Sequence, residues 1–398
     1  MIGVVLFTAA GAFPNVGLFD SKREGDAKLY QTYGKNIKAG EIPYRDFYFE
    51  YPPGAVPMMA LPALGPDNGY IRRSKELQWL LGAITIALVA ATLHLLGVSR
   101  RRLYLATALL GLAPVAFGYV TFTRFDFWPV ALTAAAIAAL VGRRDLLALA
   151  FLGAATAAKI YPAVVLPLAL LVTLRRHGPR RALSALGVYV GVMAAIVLPF
   201  AALAPGGVGF SLYTQFTRPL QIESIGAAAL LAAHQLGVYH GTVVASSGSL
   251  NFEGVLPDVL AALTTVLEIA ALLLIWLAFA RSRRTSPQLV TAAAGAVTAF
   301  VALGKVFSPQ FLLWLLPLVA LVGGRSRVLA PVLLAAALVL TQLFFDGRYH
   351  DVIALREITW LVVARDLVLL ALLVVLARDV ASARAQEAAP LQATPFAV

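Results

Sequence analysis

The chain has 398 residues, of which 60% are hydrophobic and 13% are charged, and its mean hydropathy is +0.82. Soluble domains carry about 25% charged residues, so the composition excludes an ordinary soluble protein and indicates a helical membrane protein. The net charge of +12 leaves nucleic-acid binding to be considered, whereas the absence of cysteine excludes a disulfide framework and a thiolate metal site.

Apolar runs near the roughly 20 residues that a spanning helix needs recur along the chain. We predict an all-α polytopic membrane protein of about twelve segments, in one membrane-embedded domain over residues 1–377. The segments are expected at 1–18, 72–97, 103–122, 127–142, 146–158, 161–174, 182–203, 257–280, 287–304, 309–323, 328–345 and 358–377. Residues 378–398, rich in Ala with Gln and Pro, are predicted to form a disordered cytoplasmic tail.

Half of the basic residues lie in short arginine clusters between the apolar runs, and every Lys lies outside those clusters. By the positive-inside rule, these clusters mark the cytoplasmic loops. The positive balance is therefore a topology signal, and we expect no nucleic-acid partner. With each cluster following an even-numbered segment, both termini are expected in the cytoplasm.

Two pairs of predicted segments, over residues 146–174 and 287–323, contain short segments that turn at Lys159 and Lys305. Broken helices at membrane depth are tolerated only where they are buried in protein or line a water-filled cavity. Both turns therefore indicate an internal site that contains ammonium groups and opens to the outer side.

Long connections occur on the predicted outer side, at residues 19–71 and 204–256. Long loops are usually functional, whereas the inner connections are short arginine-rich turns. The first outer loop is dense in acids, aromatic residues and prolines, and carboxylates cannot be solvated by hydrocarbon. Any chemistry is therefore expected on the outer side.

The first outer loop contains Asp26-x-x-x-Tyr30, then Gly40-x-Ile42-Pro43-Tyr44-x-Asp46-Phe47-x-x-Glu50-Tyr51-Pro52-Pro53. Further patches follow in order: Arg124-Phe125-Asp126, Ala158-Lys159-Ile160-Tyr161-Pro162, Arg218-Pro219-Leu220-Gln221-Ile222-Glu223-Ser224, and Lys305-Val306-Phe307-Ser308-Pro309-Gln310-Phe311-Leu312-Leu313-Trp314. Together these patches resemble glycosyltransferase family 87, whose members include polyprenyl-phosphate-mannose-dependent α-mannosyltransferases of the GT-C fold. The short first segment departs from the family pattern.

The resemblance implies a GT-C-like bundle that transfers a sugar from a polyprenyl-phosphate donor to a hydroxyl of a glycolipid or polysaccharide acceptor, with inversion. Mannose is the expected sugar, with arabinofuranose left open. A carboxylate that acts as general base increases the rate of such a transfer about 10²–10⁴-fold, and cations must hold the departing phosphate. No metal or other cofactor is expected. The resemblance and composition suggest the plasma membrane of a bacterium, with the active site on the extracytoplasmic face.

Asp26 matches the family's acidic position and is the expected general base, although a loop Asp can also be a solvated carboxylate or a helix cap. Tyr30, one helical turn later, is expected to line the same face. The other candidates for binding substrate in this loop are Tyr44, Asp46, Glu50 and Tyr51, a composition suited to stacking on a sugar and hydrogen bonding to it. Alternatively, the aromatic and proline residues anchor the loop on the membrane surface.

The remaining candidate substrate-binding residues are Arg124, Asp126, Lys159, Tyr161, Arg218, Glu223 and Lys305. Lys159, Arg218 and Lys305 are the expected phosphate ligands, because ionisable residues within a membrane are functional by default. Each Lys could instead snorkel to the headgroups. Arg124 could simply pair with Asp126, and Arg218 with Glu223.

Two other functions fit the same architecture. A secondary transporter often has twelve segments, but such proteins show related halves and midplane binding residues, and no such repeat is evident here. An assembly factor or lipid-binding scaffold would share the fold without turnover.

Adjacent Arg365 and Asp366, within the last apolar run, are expected to form a structural pair.

Overall fold

The computed structural model describes residues 1–11, 25–345 and 347–388, and most of them are helical. The helices of the first half are α1 (Ile2–Ala10), α2 (Ala27–Lys38), α3 (Val56–Ala63), α4 (Tyr70–Leu95), α5 (Arg100–Phe117), α6 (Val120–Thr123), α7 (Phe127–Val141), α8 (Asp145–Ala158), α9 (Leu166–His177) and α10 (Pro179–Leu203). Those of the second half are α11 (Pro205–Phe216), α12 (Ile225–Gln235), α13 (Val255–Ala280), α14 (Ser286–Leu303), α15 (Leu312–Leu321), α16 (Leu329–Phe345), α17 (Tyr349–Ile353) and α18 (Thr359–Ala388).

Among the described residues, five helical segments are long and apolar enough to cross a membrane: Asp67–Leu95, Pro179–Leu203, Val255–Ala280, Ser286–Leu303 and Thr359–Ser382. Several other predicted segments correspond to shorter apolar helices, such as α7, α8 and α16. At 1.5 Å per residue, the 14 residues of α8 span only about 21 Å of a hydrocarbon core about 30 Å thick. The membrane class is supported, but the predicted count of twelve segments is not confirmed.

Local sequence signals explain where several helices begin. Ser224 caps α12, because its hydroxyl accepts a hydrogen bond from the backbone of Ala227. Thr285 and Gln288 form a reciprocal capping box at the start of α14. Pro205 is the first residue of α11, where a backbone N–H would have no hydrogen-bond acceptor within the helix, so the lack of an N–H in proline costs nothing.

The core of the bundle is formed by α14 and α15. Every residue of α15 is buried, and most of α14 is buried as well, with small alanines that let neighbouring helices approach closely. Helix α15 contacts α4, α5 and α7 on one side and α14 and α16 on the other. By contrast, only Ala185 and Tyr189 of α10 are buried, which is the pattern expected of a helix with a face toward lipid.

A small antiparallel sheet lies within the second outer loop and was missed by the all-α prediction. Strand β3 (Ser249–Phe252) lies between β1 (Leu220–Gln221) and β2 (Val243–Ser246). Leu220 pairs with Phe252, and β2 and β3 are joined by a two-residue turn at Ser247 and Gly248. Both turn residues have positive φ, 50° and 70°, as a tight hairpin turn requires.

The two ends of the chain are described in part. Helix α1 ends at Ala10, and residues 12–24 lie outside the described residues, so the predicted segment 1–18 is tested only over its first part. Helix α18 continues to Ala388, inside the segment predicted as a disordered tail. The predicted cytoplasmic, disordered tail stays a prediction for the rest of residues 378–398. Residues 389–398 lie outside the described residues.

The first outer loop is held against α8 by a close backbone contact at Gly54. A Cβ at this position would lie 2.6 Å from the backbone carbon of Ala157 and from the backbone nitrogen of Ala158. The carbonyl of Gly54 also accepts a hydrogen bond from Nε1 of Trp128, at 3.0 Å. The loop therefore approaches the bundle more closely than a residue with a side chain would allow.

We expect Gly54→Ala to lower the free energy of unfolding by about 1–3 kcal/mol, because the added methyl group must displace backbone that cannot rotate away. Gly187→Ala in α10 is the matched control, since a Cβ there meets nothing within 4 Å. That control should be neutral or stabilising by up to about 1 kcal/mol. Unfolding of both purified variants in detergent, followed by tryptophan fluorescence, makes the comparison. Equal effects would contradict the proposed close contact.

Candidate active site

Asp26 lies directly before the first residue of α2, and its carboxylate forms an ion pair with Arg124. Gly25, with φ of 51°, brings the chain against Thr123 and Arg124 before the helix begins. The N-terminus of a helix stabilises a carboxylate. The side chain of Asp26 keeps 33% of its surface exposed, whereas that of Arg124 keeps 10%. Asp26 is thus a fixed carboxylate that a substrate can still reach.

Asp126, two residues after Arg124, is fully buried and forms a second ion pair, with Lys159. Its Oδ1 accepts hydrogen bonds from Nζ of Lys159 and from Nε1 of Trp314, each at 2.6 Å. Its Oδ2 has no hydrogen-bond partner among the described residues. Taking a carboxylate out of water is costly unless it is paired, and these two donors provide the pairing.

Aromatic rings surround the ammonium group of Lys159. It lies 4.7 Å from the ring centre of Phe125, 5.2 Å from that of Trp314 and 5.8 Å from that of Phe311. Tyr161 stacks on Trp314 at 4.2 Å with nearly parallel rings. Ring faces attract a cation most strongly when water is excluded, so the cluster stabilises this buried Lys.

An aromatic wall connects this cluster to the first outer loop. It consists of Tyr30, Tyr51 and Phe125, whose ring centres lie 4.9–5.8 Å apart in edge-to-face contacts. The hydroxyl of Tyr70 donates to the backbone carbonyl of Tyr30 at 2.8 Å and fixes α2 against α4. Two predicted substrate residues, Tyr30 and Tyr51, therefore form the lining between Asp26 and Glu50.

Lys305 does not join Lys159, although the sequence places both at broken hairpins. Its Nζ donates to the backbone carbonyl of Phe216 at 2.9 Å, and its own carbonyl accepts from the backbone of Gln221 at 3.0 Å. Lys305 therefore lies against the second outer loop. Burial lowers the pKa of Lys305, because it disfavours the charged ammonium group. A bound anion would offset this cost.

Arg218 lies in the second outer loop, near Glu50, Tyr51 and Tyr48. It makes one long hydrogen bond, 3.5 Å to Oε1 of Gln215, and its Nε is buried without a hydrogen-bond partner among the described residues. Burial lowers the pKa of Arg218. Within the described part of the chain, neither Arg218 nor Lys305 has a carboxylate within 4.0 Å.

Glu50 is held by the second outer loop through its backbone. Its carbonyl accepts from the hydroxyl of Ser211 and from Nε2 of Gln215, each at 3.2 Å. The hairpin turn also lies close, because a Cβ on Gly248 would be 3.6 Å from Oε2 of Glu50. The two outer loops therefore meet at Glu50.

Glu223 pairs with the last helix and not with Arg218. Tyr349 donates to its Oε1 at 2.9 Å, and Arg365 donates to its backbone carbonyl at 2.8 Å. Burial raises the pKa of Glu223 to about 7, although Arg365 and Tyr349 act in the opposite direction. Arg365 also forms an ion pair with Asp366, with 2.7 Å between Nε of Arg365 and Oδ1 of Asp366, which confirms the predicted structural pair.

Tyr44 and Asp46 lie on another face of the first outer loop, away from Asp26. Asp46 is paired with Arg45 at 2.8 Å, and the hydroxyl of Tyr44 donates to the carbonyl of Tyr51 at 2.5 Å. The structure therefore groups Asp26, Arg124, Asp126 and Lys159 with the aromatic wall. It places Arg218 on the second outer loop, with Lys305 against that loop, and leaves Tyr44 and Asp46 outside both groups.

The profile of glycosyltransferase family 87 matches residues 48–309, about two thirds of the chain. The chain belongs to glycosyltransferase family 87. This membership confirms the predicted family and supports a membrane glycosyltransferase over the transporter and scaffold alternatives. A search of curated proteins finds no match. Asp26 precedes the matched residues, so its role in this glycosyltransferase depends on geometry.

Sequence reasoning missed three residues of these networks. Trp314 belongs to the last of the sequence patches that resemble the family, but it was given no role. Its indole N–H, close to a helix break, could have indicated a hydrogen-bond donor for a buried acid. Tyr349 gave no signal, because an isolated aromatic residue in a connection has many uses. Arg365 was expected to form a structural pair with Asp366, but its bond to Glu223, 142 positions away in the chain, could not be read from spacing. Among the described residues, no group of three or more His, Asp or Glu could hold a metal ion, and metal independence stays a prediction.

We expect Asp126→Asn to lower the free energy of unfolding by about 3–5 kcal/mol, because it leaves the ammonium of Lys159 buried without its counter-charge. The double variant Asp126→Asn/Lys159→Met should lose less than the sum of the two single changes. A double-mutant cycle on the purified glycosyltransferase measures this coupling. Strict additivity would show that the two side chains do not stabilise each other.

Proposed function

We propose that this glycosyltransferase transfers a sugar, with mannose as the expected one, from a polyprenyl-phosphate donor to a hydroxyl of a glycolipid or polysaccharide acceptor. The observation that carries the proposal is Asp26, a partly exposed carboxylate that Arg124 holds at the edge of a buried cluster of charges and aromatic rings. In a chain of this family, such a carboxylate is the best-placed general base.

In the proposed reaction, Asp26 accepts the proton of the acceptor hydroxyl as its oxygen attacks the anomeric carbon of the donor. The bond from that carbon to the phosphate oxygen breaks, and the lipid phosphate leaves with the electron pair. Attack opposite the leaving group inverts the anomeric centre. Arg124 favours the ionised form of Asp26, which is the form that can take a proton.

Arg218 and Lys305 are the proposed phosphate ligands. Arg218 lies on the second outer loop and Lys305 lies against it, and both are partly buried cations without a carboxylate in contact among the described residues. An anionic phosphate would offset their desolvation and accept their hydrogen bonds. Lys159 was also predicted to bind phosphate. Its hydrogen bond to Asp126 favours a structural role instead, in which Lys159 holds the buried carboxylate of Asp126 in place.

The position of the arginine clusters supports a site on the outer side of a bacterial plasma membrane. Helix α7 follows directly after Asp126 and ends near Arg176, whose guanidinium binds Asp145 at 2.7 Å and the carbonyl of Leu140. Its 15 residues separate these ends by about 22 Å. The candidate site and this arginine cluster thus lie at opposite ends of one helix, as the positive-inside rule requires.

We expect Asp26→Asn to lower kcat for sugar transfer about 10²–10⁴-fold, because the amide cannot accept the proton. The matched control is Asp67→Asn, an exposed acid of the same outer loop that pairs with Lys38. Purified protein in lipid is incubated with radiolabelled polyprenyl-phosphate mannose and a crude lipid extract. Transfer by Asp26→Asn at the rate of the control would remove Asp26 as the base.

We expect Arg218→Gln and Lys305→Gln each to raise the KM for the donor about 10- to 100-fold, since a hydrogen bond to a charged group contributes about 1.5–3 kcal/mol. Lys38→Gln, on the exposed pair with Asp67, should leave this KM unchanged. Initial rates at varied donor concentration measure the effect. A fall in kcat alone, with KM unchanged, would place these cations elsewhere in the reaction.

A further inference from the structure

A separate pocket lies on the outward side of the first outer loop. It has a volume of about 430 Å³ and is lined by Tyr44, Arg45, Asp46, Tyr48, Gly207 and Phe210, among others. This volume falls within the range of small-molecule sites, about 300–1,000 Å³. The function proposed above does not use this pocket.

The polar part of the pocket is a rigid turn that holds an ion pair. The guanidinium of Arg45 binds both carboxylate oxygens of Asp46, at 2.9 and 2.8 Å, and the backbone of Ile42 donates to the same carboxylate at 2.8 Å. These bonds lower the pKa of Asp46 to about 2, with Arg45 as the largest cause. The pair therefore presents fixed donors and acceptors without a net charge.

The apolar part of the pocket consists of exposed aromatic rings. Tyr48 is 50% exposed and Phe210 is 54% exposed, and their ring centres lie 5.8 Å apart. Gly207 permits this arrangement, because a Cβ there would lie 2.1 Å from the carbonyl oxygen of Tyr44. Helix α11 thereby lies directly against the turn.

This combination selects the chemistry of the ligand. An apolar ligand would desolvate the Arg45–Asp46 pair without replacing its hydrogen bonds, and an anion would meet the carboxylate of Asp46. A neutral sugar ring satisfies both parts, since its hydroxyls can bond to the ion pair while its C–H face packs on an aromatic ring.

The position of the pocket separates it from the reacting groups. Phe49 forms part of its lining and contacts Tyr51, with ring centres 6.1 Å apart, and Tyr51 in turn contacts Phe125 beside Asp126. The pocket is therefore on the far side of the aromatic wall from Lys159. Tyr44 also contacts Phe200 near the outer end of α10, the least buried of the five helical segments long enough to cross a membrane.

We propose that this pocket binds a neutral sugar ring of the acceptor, remote from the hydroxyl that reacts. This inference rests on the proposed function, because it identifies the acceptor as a glycan of more than one sugar. The pocket lies at the outer end of α10, where either a membrane-anchored glycolipid or a free oligosaccharide could reach it. Both would present the same neutral sugar ring.

Binding is tested without donor, on the full-length protein in nanodiscs, by saturation-transfer NMR with mannotriose and with an alkyl mannotrioside. We expect Phe210→Ala and Arg45→Gln to weaken binding at least tenfold. Tyr213→Ala is the matched control, because Tyr213 lies on the same helix, is 64% exposed and does not line the pocket. Phe210 is a surface residue, so its removal should leave the unfolding temperature unchanged.

Binding of mannotriose indicates recognition of the glycan alone, and binding of only the alkyl mannotrioside indicates a membrane-anchored source. Equal binding by Phe210→Ala and wild type, or no binding of either probe, overturns the proposal. In transfer assays, Phe210→Ala should raise the KM for the acceptor about tenfold with the KM for the donor unchanged. Asp26→Asn should bind both probes normally, so failure of the proposed base and failure of the pocket give different results.

Discussion

The buried pair of Asp126 and Lys159, with Trp314 as the second donor to Asp126, is the interaction on which the rest of the site depends. Asp126 and Lys159 lie at two separate breaks between helices, Trp314 lies in the first turn of α15, and Asp126 and Trp314 are 188 positions apart in the chain. Neither of these breaks could be buried at membrane depth without polar partners. One carboxylate therefore holds together the parts of the chain that would otherwise be hardest to bury.

The charges around this pair have graded exposure. Asp126 is completely buried, Lys159 and Arg124 keep a small exposed fraction, and Asp26 is the most exposed. Buried members of such a network are costly to change because their partners lose compensation, whereas the exposed member can exchange a proton. The gradient separates the structural part of the network from the part available for chemistry.

The sequence predicted the main helices, the breaks at Lys159 and Lys305, and the long connections between helices, because each depends on local composition and periodicity. It could not predict that Lys159 would bind Asp126 while Lys305 would turn to Phe216, since both stand at similar breaks. That difference depends on which helices become neighbours. The sheet at β3 was missed for a related reason, because its strands are only two to four residues long.

The hairpin turn at Gly248, which lies against Glu50, has a consequence for the fate of the donor. An activated sugar beside a carboxylate base reacts with water as readily as with an acceptor if water reaches the same position. In the proposed reaction, contact between the two outer loops would restrict that access. The sheet of the second loop would then limit hydrolysis of the donor, and the yield of glycoside per donor consumed would depend on this contact.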